Sequence, residues 1–165
     1  MAPAARQSGC PMVDDRPITP VGEPISEPPW YQGGLRFTCT QCGNCCTGDP
    51  GFTWVSDGEI AALAKRLGID GDAFRRRYTR TVWHSGAKRF SLVENRGGDC
   101  VFFKRGTGCT VYEDRPRQCR TWPFWQRVID EPQEWADAGR GCPGIDHGAL
   151  HSAAEITAIA TDDGL

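Results

Sequence analysis

Cys39-Thr40-Gln41-Cys42-Gly43-Asn44-Cys45-Cys46 sets four sulfurs within eight residues, with two two-residue gaps and then an adjacent pair. A two-residue gap lets a tight turn aim both thiols at one point, which is how a backbone knuckle holds a thiophilic metal. Gly43 suits such a turn, because a residue without Cβ takes a positive φ at little cost. Neighbouring side chains usually diverge, so Cys45 and Cys46 are expected to serve two ions, or two corners of one cluster. The stretch reads as the first half of a metal site.

The second half lies downstream at Cys100, Cys109, Cys119 and Cys142, which brings the candidate ligands to eight. The ninth cysteine, Cys10, stands alone in a Pro-rich leader and reads as a bystander. Eight thiolates match two four-sulfur sites, or one four-iron cluster with ligands to spare. Zinc or iron is the expected cofactor, a 4Fe-4S cluster being one form of the latter. Copper(I) is a third soft-metal reading, since vicinal thiolates suit it. Cys39-x-x-Cys42-x-x-Cys45 is the three-ligand run of bacterial ferredoxins, and Cys142-Pro143 matches their remote Cys-Pro ligand. Knuckles with Gly are equally at home on structural zinc, so the spacing leaves the metal open.

Composition sets the outer limits. At 165 residues the chain is long enough for one domain with a modest core. Its 19 Lys plus Arg against 21 Asp plus Glu leave a formal charge of −2, which gives no reason to expect nucleic acid or an anionic membrane. A hydrophobic content of 39% with 20 Gly and 12 Pro points to a small, loop-rich α+β domain, with short helices and strands around the cysteine centre. Residues 1–33 read as a disordered leader punctuated by Pro3, Pro11, Pro17, Pro20, Pro24, Pro28 and Pro29, and residues 34–165 as the metal-binding domain. Pro28-Pro29-Trp30-Tyr31 is where the leader is expected to dock. Met1 to Trp30 carries no apolar export segment or membrane span, and nine is an odd count for a disulfide framework. A cytoplasmic, metal-bound protein is the expectation.

Leu35 to Thr38 reads as a short extended piece, and Phe52 to Val55 as a brief strand. Ser56-Asp57-Gly58-Glu59 is a capping box opening a helix with Ile60, Leu63, Ala64 and Leu67 at helical spacing, closed by Gly68. A second helix is expected from Asp70–Asp72 through Phe74 and Tyr78, with Arg75, Arg76, Arg77 and Arg80 as a solvated face. Thr81 to Glu94 reads as extended structure about Ser85-Gly86. Cys100 to Phe103 and Cys109 to Tyr112 are expected as the two strands of a hairpin, and Pro116 as the first residue of a short helical turn that delivers Cys119. Gly139-Arg140-Gly141 reads as a loop that delivers Cys142. Gly148 to Ala160 reads as a C-terminal helix, with His147 and His151 four apart at its start as a secondary ligand pair. His84 is a further lone candidate.

The ordered blocks Phe37-x-Cys39-x-x-Cys42-Gly43-x-Cys45-Cys46, Cys100-x-Phe102, Cys109-x-Val111-Tyr112-Glu113-x-Arg115-Pro116-x-x-Cys119-Arg120, Pro123-Phe124 and Cys142-Pro143-Gly144-Ile145 are far more specific than a lone Cys-x-x-Cys. In these the chain resembles the YkgJ-type cysteine-cluster family of zinc- or iron-chelating domains. The resemblance spans about residues 37 to 148 and implies a small metal domain. Flagellin lysine methylase is among the relatives, so it also implies that catalysis occurs within the group. Asp146-His147 stands where relatives commonly show Gly-Lys.

No Gly-x-Ser-x-Gly, phosphate loop or dinucleotide fingerprint is present. Three readings follow: a protein that chelates zinc or iron through eight thiolates, an iron–sulfur enzyme of methylase-like or redox type, and a zinc-stapled module that docks a protein partner. Arg115, Arg117 and Arg120 flank Cys119, where their charge offsets that of a thiolate centre.

Overall fold

A computed structural model describes residues 27–47 and 51–161. Cys10 lies outside the described residues.

The chain forms an α+β domain around two small cores. The first is built on the capping box. Ser56 Oγ accepts the Glu59 N–H while Glu59 Oε2 accepts the Ser56 N–H at 2.8 Å, starting α1 (Asp57–Leu67), which Gly68 closes at φ 66°. Asp70 caps α2 (Gly71–Tyr78) through the Ala73 N–H, and because the helix ends at Tyr78, Arg80, expected on its face, falls on the strand that follows and pairs with Glu94. β2 (Trp54–Val55), β3 (Thr79–His84) and β4 (Ala87–Leu92) make an antiparallel sheet in the order β2-β4-β3. Val55, Ile60, Leu63, Phe74, Leu92, Phe102 and Val111 fill the space between helices and sheet, and Cys100 and Cys109 pack against it.

The second core gathers the two ends of the body. β1 (Leu35–Phe37) pairs antiparallel with β7 (Ile145–His151), and α4 (Gln126–Ile129), α5 (Pro132–Gly141) and α6 (Ala153–Thr161) cover the ribbon. Leu35, Phe124, Val128, Ile129, Trp135, Ile145 and Ile156 are its buried residues, with Cys142 and Trp122 packed against it. Trp30 Nε1 donates to Ile129 O at 2.8 Å and Tyr31 packs on the same core, so the chain docks at Trp30-Tyr31 as the sequence suggests. Between the cores run the hairpin β5 (Phe103–Lys104) and β6 (Gly108–Cys109), a 3₁₀ turn at Tyr112–Asp114, and α3 (Arg117–Thr121).

Several expectations are corrected. The strand Cys109 to Tyr112 stops at Cys109, because Thr110 turns back to donate both N–H and hydroxyl to Phe102 O, leaving Val111 to bury in the core. The strand Cys100 to Phe103 is reduced to Phe103–Lys104 plus a lone bridge between Cys100 and Glu94. Only Trp54 and Val55 of Phe52 to Val55 are strand. Pro116 is the N-cap of α3, which starts at Arg117, one residue later than expected. Gly139-Arg140-Gly141 is the last turn of α5 rather than a loop. The helix expected from Gly148 begins at Ala153, behind a Ser152–Glu155 capping box, because residues 145–151 are taken as the partner of β1.

Glu59 does more than cap α1. Its Oε1 accepts the Arg117 N–H, and Arg120 lies 3.9 Å away, so one carboxylate ties α1 to the helix that carries Cys119. Burial pushes its pKa up, but the Ser56 and Arg117 N–H groups, the Ser56 hydroxyl and Arg120 outweigh that and hold it below its ordinary value. A depressed carboxylate contributes stability that is full above the unfolded-state pKa and is lost as pH falls through the folded one. Unfolding free energy should therefore fall less steeply in Glu59→Gln than in the wild type between about pH 5 and pH 3. Parallel pH profiles from urea titrations would contradict this role.

Candidate metal centre

The antiparallel ribbon decides where the two ends of the cysteine series meet. Phe37 pairs with Ile145, and the Thr38 N–H donates to Gly144 O at 3.3 Å, so Cys39 and Cys142 leave the ribbon at the same end. Gly144 permits the approach, since a Cβ there would sit 2.3 Å from Thr38 O. Asn44 Nδ2 donates to Gly141 O at 2.6 Å, pinning the knuckle to the end of α5 beside Cys142. A second backbone link joins the cysteine-rich halves from the other core: the Cys100 N–H donates to Cys46 O at 2.7 Å.

Gly43 takes φ 84°, as its place in the knuckle suggests, and leads into the 3₁₀ turn Asn44–Cys46. On that turn the Cys45 and Cys46 sulfurs lie 3.9 Å apart. Adjacent side chains here converge rather than diverge, which corrects the expectation of two directions. Four sulfurs about 2.3 Å from one tetrahedral ion are separated by about 3.8 Å. The pair already spans such an edge.

All eight cysteines, Cys39, Cys42, Cys45, Cys46, Cys100, Cys109, Cys119 and Cys142, line a single cavity of about 500 Å³ at the seam between the two cores. None is in a disulfide, and Cys39, Cys42 and Cys45 are exposed. Among the described residues no three His, Cys, Asp or Glu side chains converge closely enough to hold one ion. The donors nevertheless fit a soft metal by their chemistry, being thiols throughout, with backbone N–H groups aimed at the sulfurs. Gln41 N–H points at Cys39 Sγ at 3.4 Å, and the Phe102 and Val111 N–H groups donate to Cys100 and Cys109 in the same two-residues-on pattern. Such donors favour the thiolate.

The thiols oppose one another electrostatically. Burial pushes the Cys119 thiol up to about 12, and charge on Cys100, Cys45 and Cys109 adds to the rise against the pull of Arg115. Cys100 and Cys109 are also raised, chiefly by burial. In the adjacent pair, a hydrogen bond from Cys46 brings Cys45 down to about 7 despite burial, while Cys46 keeps its proton and is raised. Arg115 pulls on Cys45, Cys109 and Cys119, and Arg66 also acts on Cys109. The Arg115 guanidinium stacks on the Tyr112 ring at 3.8 Å and donates to Tyr112 O. Tyr112, raised first by burial and then by its hydrogen bond to Cys39, joins the two halves again.

The histidines lie elsewhere. His84 packs against Trp54 with ring centroids 5.2 Å apart and the planes tilted by 41°. His147 and His151 sit on β7 rather than a helix, and His151 Nε2 meets Phe37 O at 3.0 Å. Asp146 holds φ 62° and accepts the Trp135 Nε1–H at 2.9 Å. Asn44, Tyr112 and Gln118 are site residues that spacing alone did not single out. Gln118 ties β2 to α3, its Oε1 accepting Trp54 N–H and its Nε2 donating to Phe52 O.

A family model, CxxCxxCC, described as "Putative zinc- or iron-chelating domain", matches residues 38–143 and takes in all eight clustered cysteines. The chain belongs to the CxxCxxCC family. No solved structure matches it.

A Cβ on residue 43 would sit 2.2 Å from the Phe103 ring and would have to adopt a left-handed backbone. Gly43→Ala should cost about 1–3 kcal/mol and lower metal content as the knuckle shifts. An unchanged urea midpoint with full metal content would contradict this placement.

Proposed function

We propose that this member of the family chelates zinc or iron through thiolates drawn from both halves of the chain, in one contiguous centre. The observation that carries the reading is the single cavity lined by all eight cysteines, with two sulfurs already spaced as a tetrahedral edge. Cys39, Cys42, Cys45 and Cys46 come from the knuckle, Cys100 precedes the β5–β6 hairpin and Cys109 ends it, Cys119 rides on α3, and Cys142 follows α5. Eight sulfurs exceed the needs of one four-coordinate ion, so two ions or a cluster satisfies the set. When bound, the metal supplies positive charge that relieves the repulsion between ionised thiols, and metal–thiolate bonds that hold the seam. Chelation and folding are then one equilibrium.

The wholly sulfur donor set suits zinc and iron and disfavours magnesium or calcium. Free thiols in this number fit a reducing compartment, and we place the protein in the cytoplasm. Among the described residues no helix is long and apolar enough to cross a membrane.

Metal per chain in Cys42→Ser, Cys119→Ser and the double variant tests the shared centre. The two residues lie in opposite halves of the sequence, and the double variant is expected to retain no less metal than the poorer single variant. Strictly additive losses from two folded single variants would argue for two separate sites. The absorption spectrum of the same samples assigns the metal, because sulfur-to-iron charge transfer absorbs near ~400 nm and zinc thiolate is colourless.

A further inference from the structure

A second cavity, of about 480 Å³, shares Cys45, Cys46, Cys100 and Cys119 with the first. These four thiols line both cavities, as do Trp122, Trp125 and Arg127. We propose that this second cavity is a binding site for a small planar carboxylate, whose ring lies among the cavity's aromatic side chains while its anionic group meets Arg127. The proposal rests on the metal reading for the character of the thiol side, with which Trp125 and Arg127 are shared, whereas Phe52, Trp54 and His84 line the second cavity alone.

The far side of the cavity is aromatic. Phe52 and Trp54 stack with centroids 4.8 Å apart at 16°, and His84 extends the row from Trp54. Trp125 contributes a further ring to the lining. A cavity of this size with apolar rings and a few polar groups has the character of a small-molecule site. The charges select the ligand. Glu94 is the one carboxylate among the lining residues, and Arg80 takes both its oxygens, with Nη2 to Oε1 at 2.9 Å. The Gln118 amide is committed to the Trp54 N–H and Phe52 O. Arg127 also lines the cavity, its guanidinium 4.8 Å from the Trp125 ring, and among the described residues no carboxylate pairs with it.

A cationic ligand is disfavoured for the same reason. Arg80 lies over Phe52 at 5.4 Å, Arg89 over Trp54 at 5.5 Å, and Arg127 over Trp125, so each of these rings already carries a guanidinium. A second cation entering the row gains less from the rings and meets like charge. A carboxylate instead gains a charge-assisted hydrogen bond from Arg127.

The test uses the full chain, with metal content measured on the same sample, titrated calorimetrically with benzoate and with benzylamine. Saturable one-to-one benzoate binding, with benzylamine at least about tenfold weaker, is expected. Arg127→Gln should weaken benzoate about tenfold, and Arg127→Lys should recover part of the loss. Arg127 is exposed, so both variants are expected to fold, and circular dichroism checks this. Benzylamine binding as tightly as benzoate, equal benzoate affinity in a folded Arg127→Gln chain, or no saturable benzoate binding at all would each overturn the proposal. Benzoate binding that depends on Arg127 in a chain devoid of metal would support the site and count against the metal reading alone.

Discussion

The cost of ionising thiols that are both buried and crowded together is the constraint on which this structure depends. Burial is the largest cost of ionising Cys100, Cys109 and Cys119, and charge on neighbouring sulfurs adds to it. Backbone N–H groups at Cys100 and Cys109, together with Arg115, offset only part of it. A bound cation changes the sign of the problem, because each thiolate then faces an opposite charge before it faces another sulfur. The same groups that crowd unfavourably as a bare set become mutually supporting ligands.

The fold is organised to impose that crowding. Neither core is large, and each contributes cysteines to the seam: Cys100 and Cys109 from the α1–α2 side, Cys142 from the ribbon side. The links across the seam are polar and specific. Cys100 N–H to Cys46 O, Asn44 to Gly141 O, Gln118 to Phe52 and Trp54, and Glu59 to Arg117 each join segments distant in sequence. Loop-closure entropy rises slowly with length, so a few such bonds and a metal can hold segments tens of residues apart. A domain with two small cores draws more from such a staple than one with a single large core would.

How much of this was legible in the sequence depended on the range of the signal. Local chemistry was readable: the Ser56–Glu59 capping box, the Gly68 stop and the Asp70-capped second helix all appear where their residues place them. The eight cysteines and the positive φ at Gly43 were equally legible, because sulfur clustering and glycine turns carry their own meaning. Long-range pairing was not. Residues 145–151 carry no strand signal of their own and are extended because β1 requires a partner, which also dissolves the helical His147–His151 pair. The Ser152-x-x-Glu155 box that marks the true start of α6 was present in the sequence and shows where the tail should have been divided. Tyr112, Asn44 and Gln118 act through contacts across tens of residues, which spacing does not encode.

X-ray absorption at the zinc or iron edge of the purified full chain tests the central claim most directly. A sulfur shell near about 2.3 Å, accounting for all or nearly all of the first-shell ligands, is predicted for a thiolate-held centre. A first shell dominated by nitrogen or oxygen at about 2.0–2.2 Å would contradict it.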